Sequence, residues 1–599
     1  MFYSEIKKQN SILNRRKFIL FLFKISLFSI VGWRLYNIQI LNSSKYKTLS
    51  KKNQIDLEII FPIRGKIFDR NETLIATNEK VFDLYLIPEK TKSINNTLNA
   101  LSKFINIDFP KRRKIIELSS KIKKFEKIKI FENITWSTLE KVETNKHNLQ
   151  GIFIVEDYLR VYPYNEIFSH LIGYISKPNQ KDLALPFISK MPNLDIGKEG
   201  LEKSFNQILV GKPGQREIEV NSTGRIIREI SKTKSTRGEE IFLSIDFRLQ
   251  EYVFNLLKSY RAGSINVINI KTGEILCMTS TPTYDPNKII KKPNKVYWDS
   301  LLSNSLSPLT NRSIQGLYSP GSTFKMVVAI AALKYGVINS NSIHTCTGKI
   351  EFGDRIYHCW KTNGHGKMDV TNAIKESCDV FFYEISKRLG IDKIAEVAED
   401  FGLGRTFDIS MPNQKKGIVP SKKWKKNKIG ESWYAGETLI SGIGQGFLLT
   451  NPLQLAVMTS IIASNGKIIQ PTILKSNESN FGINEKYSDE IKIIKKAMFK
   501  VVNEKKGTAY KSRSDDVKFA GKTGTSQVRQ ITLSERESDD FRKKEQEWKN
   551  KDHALFVGYL PYDDPKYAIS VIIEHGGSGA STAAPIAKQV FNYINKFDI

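Results

Sequence analysis

Cysteine is scarce: the chain has four in 599 residues, at 277, 346, 359 and 378, and only 7 histidines. Their irregular spacing matches neither a zinc finger nor a zinc ribbon. Internal repeats are absent. So are finger, basic-zipper and base-stacking motifs, although Lys+Arg (92) outnumber Asp+Glu (62) and the net charge is +30. The basic residues are spread along the whole chain, which argues against nucleic acid as the partner. An anionic membrane surface or an acidic substrate is compatible with such a balance. Lys, Asn and Ile are abundant throughout, so part of the charge reads as compositional bias. A chain of this length supports two or more domains with substantial cores.

The N-terminus carries an apolar run, RRKFILFLFKISLFSIVGW, from Arg15 to Trp33. Basic residues Lys7, Lys8, Arg15, Arg16 and Lys17 precede it, and no small-x-small cleavage site follows. This pattern is read as an uncleaved anchor rather than a signal peptide. The expected division is a cytoplasmic tail at 1–17, a transmembrane anchor at 18–40, and everything beyond on the outer side by the positive-inside rule. The run gives roughly 24 Å of helix against a hydrocarbon core of ~30 Å. Lys24 lies inside it, and either snorkels or is met by a partner membrane protein.

Two further regions are expected, 41–240 and 241–599. The first is mixed and interrupted by Gly and Pro, with turns and short strands across Phe61–Asn78 and a lysine-rich solvated helix face over Arg112–Lys129. The second opens near IFLSIDFRLQEYVFNLL, where alternation gives way to helical period. Ser264–Ser280 predicts two strands joined at Thr272-Gly273. Thr323–Tyr335 predicts a helix closed by Gly336, and Val370–Gly390 a helix, a break and a helix. VKFAGKTGTSQV, HALFVGYLP and KYAISVIIEHG predict three strands, with an exposed charged stretch, Arg529–Asp552, between the first two. Strands, then helices, then strands make an α+β domain with a sheet packed by helices.

YSPGSTFKM, Tyr318–Met326, places a serine at a helix start with a lysine three residues on. Alone, that spacing is weak: S-x-x-K also occurs at Ser44–Lys47, Ser120–Lys123 and Ser231–Lys234, and by spacing alone Ser322 reads first as a helix cap. An acyl-transfer serine enzyme needs a nucleophile, a base, a second proton carrier and oxyanion donors. Ser322 at a helix start has free backbone N–H groups beside it. Lys325, at i+3, shares its face. Ser377 in SCD supplies a second hydroxyl, with an N-cap as its plainer reading. AGKTGTSQV sets Lys522, Thr523, Gly524 and Thr525 on a strand. There Lys522 can meet a carboxylate and Gly524 can let a substrate backbone approach closely. A second K-T-G, Lys271-Thr272-Gly273, reads as a hairpin turn. The order S-x-x-K, S-x-[ND], K-[ST]-G is what decides, because it is the set of penicillin-binding proteins and class A β-lactamases.

Over nearly its whole length the chain resembles class B penicillin-binding proteins, the bitopic peptidoglycan transpeptidases. PIRGKIFDRNETLIATN is similar to that family's linker motif, with Glu72 where Gly is usual. RVYPYNEIFSHLIGY and GKEGLEKSFNQILVGKPG resemble its pedestal motifs. NRSIQGLYSPGSTFK, GIGQGFLLTNPLQLA and KTGTSQV resemble its transpeptidase motifs. CWKTNGHGKMDVTNAIKESCDVFFYEI is closer to the elongation branch, penicillin-binding protein 2, than to the division branch. Asp379 replaces the commoner Asn of the second motif.

The resemblance implies a pedestal domain at 41–240 and a penicillin-binding, β-lactamase-like transpeptidase domain at 241–599. It implies a single-pass inner-membrane protein of the rod complex, paired with a SEDS-family glycosyltransferase and a scaffold protein, and acylated by β-lactams. It further implies that Ser322 attacks the D-Ala-D-Ala carbonyl of a stem peptide and that Lys325 takes its proton. Ser377 and Lys522 carry a proton to the leaving amine, and N–H groups of Ser322 and Thr525 form the oxyanion hole. Catalysis needs no cofactor. A division-type transpeptidase, a non-catalytic β-lactam sensor or scaffold, and a carboxypeptidase are the rival readings. Cys277 reads as core. Cys346, Cys359, His365 and Cys378 make a Cys₃His set suited to structural Zn²⁺, with His344, His358 and Asp369 as competing ligands. Some elongation-type relatives resemble this in carrying a metal site in the same loop. A Cys346–Cys359 disulfide or free thiols are the alternatives.

Overall fold

The computed structural model describes residues 2–45, 54–185, 188, 191, 194–221, 225–290, 295–476, 481–482, 485–529 and 547–599. The central part of the charged stretch, 530–546, lies outside these; its end forms a short 3₁₀ turn, Trp548–Asn550. An N-terminal α-helix runs Phe2–Tyr36 and continues as a π-helical turn, Asn37–Leu41. Over Arg15–Leu41 it is long and apolar enough to cross a membrane and is wholly unburied. No acidic residue occurs in that span.

The chain folds into two compact units, each built from separate stretches of sequence. The first comprises 1–62, 81–157 and 212–237. Its small core packs Leu84, Leu98, Leu101, Ile130, Leu139 and Ile152 beneath short helices. Those helices start at side-chain caps, such as Ser93 for Ile94–Leu101 and Asp108 for Phe109–Lys121. The lysine-rich segment is therefore helical only to Lys121. Ile128–Phe131 is a strand, because Ile128 and Ile130 alternate into the core. A three-stranded antiparallel sheet joins Ile55–Ile60, Gly214–Val220 and Ile226–Thr233.

The second unit comprises 63–80, 158–211 and 238–599. Inside it a carboxylate, Glu202, is completely buried between two arginines. Arg64 Nε and Arg160 Nε donate to its two oxygens at 2.6 and 2.7 Å, and Tyr162 OH donates at 3.1 Å. These bonds tie residues 64, 160 and 202 together. Parallel pairing of Ile241–Phe242 with Ile67–Phe68 adds a backbone link from the same N-terminal segment to the start of the 238–599 stretch.

The main sheet has five strands: β1 Gly263–Asn269, β2 Ile275–Thr281, β3 Ala520–Ser526, β4 His553–Leu560 and β5 Tyr567–Ile573. Its order is β2-β1-β5-β4-β3, antiparallel throughout. The strands are apolar on both faces because helices cover both. Helix Pro452–Ala463 is buried all round and lies against β1 and β5. It starts with a capping box, Asn451 and Gln454, and a proline at its first turn. Strand β3 is left as an edge.

Helix α1, Lys325–Lys334, follows a 3₁₀ turn, Gly321–Phe324, so the regular helix begins just after Ser322. Helices α2, Val370–Lys375, and α3, Asp379–Leu389, are separated by Glu376–Cys378.

Burial alone would raise the Glu202 pKa; Arg160 and Arg64 outweigh it and hold the carboxyl below its ordinary range. A depressed carboxyl stabilises the fold above its unfolded pKa and loses that contribution as pH falls through the folded value. Glu202→Gln, which leaves two buried guanidinium groups unpaired, is expected to cost about 3–5 kcal/mol by chemical denaturation near pH 7. Its deficit relative to wild type is expected to shrink only as pH drops below ~4.

Candidate active site

Ser322 sits half-buried in the 3₁₀ turn, with α1 continuing behind it. The turn is held from several sides. Tyr318 and Thr450 exchange backbone hydrogen bonds at 2.9 Å, and Gly321 N–H donates to Gly444 O at 2.9 Å. Gly321 has φ +53°, and a Cβ there would lie 2.5 Å from Thr525 O, so only glycine fits. At Gly524 the space for a Cβ is taken by Thr323 Cγ2 (2.9 Å) and Pro320 O (3.0 Å). The glycine of K-T-G thus admits the protein's own serine turn against the strand.

Edge strand β3 aims one row of backbone groups at that turn. Gln445 Nε2 donates to Thr525 O at 3.2 Å on this side. The N–H and C=O of a strand residue share an edge, so Thr525 N–H faces the same way. Ser322 N–H, in the first turn, has no hydrogen-bond partner among the described residues. Two amide donors therefore flank the serine.

Lys325 and Lys522 are both fully buried. Lys325 Nζ donates to Asp379 Oδ1 at 2.7 Å, Ser377 O at 3.0 Å and Ser377 Oγ at 3.2 Å. Lys522 Nζ lies 3.0 Å from Ser377 Oγ and 2.9 Å from Thr523 O. One hydroxyl thus bridges two lysine nitrogens. An ammonium has three donors, and those of Lys325 are all engaged. Burial drives the Lys522 pKa well below the ordinary lysine value; nearby Lys325 lowers it further, and Asp379 opposes the shift.

Ser377 is not the cap of α3. It lies in the break before it, at φ +57°, and Cys378 takes the N-cap position. A non-glycine residue in that region is strained and has to be held by its surroundings. Here Lys325 Nζ and Trp360 Nε1 (3.1 Å) both grip the Ser377 carbonyl. Trp360 N–H also donates to Asp379 Oδ2 at 2.8 Å. Trp360 and Gln445 were not expected from the sequence. Each lay inside a quoted motif, CWKTNGHG and GIGQG, but neither carries a chemistry of its own to mark it.

Cys346, Cys359, His365 and Cys378 converge, with one ligand atom from each all within 4.8 Å of one another. None is in a disulfide. His365 Nδ1 lies 3.6 Å from Cys346 Sγ and 3.5 Å from Cys359 Sγ. Such spacings suit a tetrahedron with Zn–S of about 2.3 Å and Zn–N of about 2.0–2.1 Å. A hydrogen bond from Cys378 to Cys359 raises the Cys378 pKa and lowers that of Cys359. His344 packs edge-on against Phe381, and Asp369 caps α2 through Asn372 N–H. His358 O accepts from Tyr383 OH. None of the three belongs to the cluster. Cys277 is buried in β2.

The chain matches the family described as penicillin binding protein transpeptidase domain over residues 263–592. Residues 59–243 match the penicillin-binding protein dimerisation domain. Peptidoglycan D,D-transpeptidase MrdA of Haemophilus influenzae is 32% identical over 618 residues, covering 99% of this chain and 93% of the relative. The solved complex between penicillin-binding protein 2 and MreC from Helicobacter pylori matches with TM-score 0.79 and 31% identity, covering 91% of this chain and 99% of that one. A chain in a solved peptidoglycan synthase complex that coordinates polymerization and crosslinking matches with TM-score 0.72 and 27% identity, with 98% of each covered. The chain belongs to the class B penicillin-binding proteins of the penicillin-binding protein 2 type.

The Lys522 shift has a testable sign. With its folded pKa depressed, the unfolded chain binds more protons between that value and about 10.4, so wild-type stability rises with pH through this window. Lys522→Met removes the buried amine. It is expected to unfold at higher denaturant than wild type near pH 7, with the gap closing as pH approaches about 10.4.

Proposed function

We propose that this chain is an elongation-type peptidoglycan D,D-transpeptidase that cross-links stem peptides through an acyl-enzyme on Ser322. The observation that carries the reading is the Ser377 hydroxyl lying between the Lys325 and Lys522 amines. Burial depresses the Lys522 pKa, and Asp379 pairs with Lys325 at 2.7 Å, so the proposed cycle starts from the ammonium at Lys325. Passing its proton through Ser377 Oγ to Lys522 leaves Lys325, three residues on from Ser322, as a neutral amine. Ser322 Oγ then adds to the carbonyl of the terminal D-Ala-D-Ala bond as its proton moves to Lys325. The oxyanion is received by the N–H groups of Ser322 and Thr525. Collapse breaks the C–N bond, and the departing D-alanine amine takes a proton from Ser377, replenished from Lys522. An amine of a neighbouring stem peptide attacks the ester, gives up its proton through the same groups and restores the Ser322 hydroxyl.

The basic residues before the apolar helix support an N-terminus in the cytoplasm, a single anchor at 18–40 in the inner membrane and a periplasmic remainder. The Helicobacter pylori complex with MreC and the peptidoglycan synthase complex support a scaffold protein and a SEDS-family glycosyltransferase as partners. We assign Zn²⁺ to Cys346, Cys359, His365 and Cys378, where it would fasten the 346–365 loop to the residue after Ser377. Its place is structural.

Full-length protein in detergent, exposed to a penicillin, is expected to gain one drug equivalent by intact mass. Ser322→Ala is expected to gain none. An unmodified, well-folded wild type would refute the transpeptidase reading. Metal analysis of the same preparation is expected to give about one zinc per chain, falling well below that in Cys359→Ser. A denatured mass lighter by two hydrogens, with no zinc, would instead assign the pair to a disulfide.

A further inference from the structure

Helix Ser488–Asn503 ends shortly before Gly507-Thr508, a segment outside the three motifs. Thr508 nonetheless touches one of them and the end of the helix that leads into another. Its backbone N–H donates to Lys375 O at 3.2 Å, at the end of α2 just before the Ser377 break. Its hydroxyl lies 2.7 Å from the Thr523 hydroxyl on β3. Neither hydroxyl has another hydrogen-bond partner among the described residues.

Which way that bond runs matters. Thr523 stands next to Lys522, where an incoming carboxylate would be received. An ionised carboxylate only accepts hydrogen bonds. Thr523 can serve it only if its own proton points outward, and its oxygen must then accept from elsewhere. Thr508 is the group placed to give that bond. We propose that Thr508 is a positioning residue for anion recognition, donating to Thr523 Oγ1 so that the Thr523 proton is presented to the carboxylate of the donor peptide or of a β-lactam. The chain of donors runs Thr508 to Thr523 to carboxylate, and the backbone bond to Lys375 fixes its first member relative to the Ser377 break. Removing the Thr508 hydroxyl leaves Thr523 oxygen unpaired and its rotor free to turn toward a backbone carbonyl.

The proposal rests on the Ser322 acyl-enzyme reading and is tested with a penicillin and its methyl ester, which lacks the anion. Acylation of the full-length protein in detergent is followed by intact mass for wild type, Thr508→Val and Thr508→Ser. Wild type is expected to prefer the acid over the ester. In Thr508→Val the rate with the acid is expected to fall about tenfold while the ester rate holds, so that the preference collapses. Thr508→Ser is expected to restore it. Equal slowing of both compounds, or an unchanged preference, overturns the proposal while leaving the acyl-enzyme intact. No adduct on wild type with either compound overturns the acyl-enzyme reading and this proposal with it. If Thr508→Val does not fold, Thr508→Ala is expected to lose the same preference, and retention there overturns the proposal.

Discussion

Two lysine amines share one serine hydroxyl in a buried cleft, and that constraint organises the rest of the site. Two adjacent buried ammonium ions repel, and burial penalises the charge of each. Asp379 pairs with Lys325, while Lys522 has no carboxylate at ion-pair distance among the described residues and its pKa is driven well below the ordinary lysine value, mainly by burial. The Asp in place of the commoner Asn at this motif position thus has a physical consequence. The carboxylate sets a counter-charge on the Lys325 side of Ser377, which a neutral amide would not supply.

The fold brings this about by letting backbones meet closely. Gly321 lies against Thr525 and Gly444, and Gly524 makes room for Thr323 and Pro320. The serine turn, the segment around Gly444 and the edge of β3 therefore meet closely where glycines leave room. An edge strand is ordinarily a liability because its backbone groups are unpaired. Here the unpaired row faces Ser322. Gln445 takes one carbonyl on it, which leaves the Thr525 N–H beside the serine.

Much of this was legible in the sequence because it is written locally. The strands at 263–281 and 553–573, the helix closed by Gly336 and the break inside 370–390 all follow from periodicity and punctuation. The three motifs mark Ser322, Lys325, Ser377 and Lys522 by order and residue type. What was not legible depends on contacts distant in sequence. No spacing rule says that Ser377 adopts a left-handed conformation, because the grips that hold it come from Lys325 and Trp360. The same is true of the space over Gly524, which sequence assigns to substrate and the fold fills with its own turn. Lys129 looked helical by composition, yet Ile128 and Ile130 beside it alternate into a core and make a strand. The buried Glu202 between Arg64 and Arg160 was hidden for a similar reason. Each residue lies in a different stretch, and a charged residue reads as surface until its partners are known.

The cysteine cluster and the catalytic break belong to one mechanical unit. Cys378 lies between Ser377 and Asp379, and Trp360 follows Cys359 directly. The tryptophan's backbone N–H holds Asp379, its indole N–H holds the Ser377 carbonyl, and its ring meets His365 at 5.4 Å. The loop that gathers Cys346, Cys359 and His365 therefore delivers hydrogen bonds to both residues that flank Cys378. A strained serine persists only where its neighbours leave it no alternative. Anything that fixes this loop, whether a metal ion or close packing of the thiols and imidazole, also fixes the hydroxyl that lies between the two lysine amines.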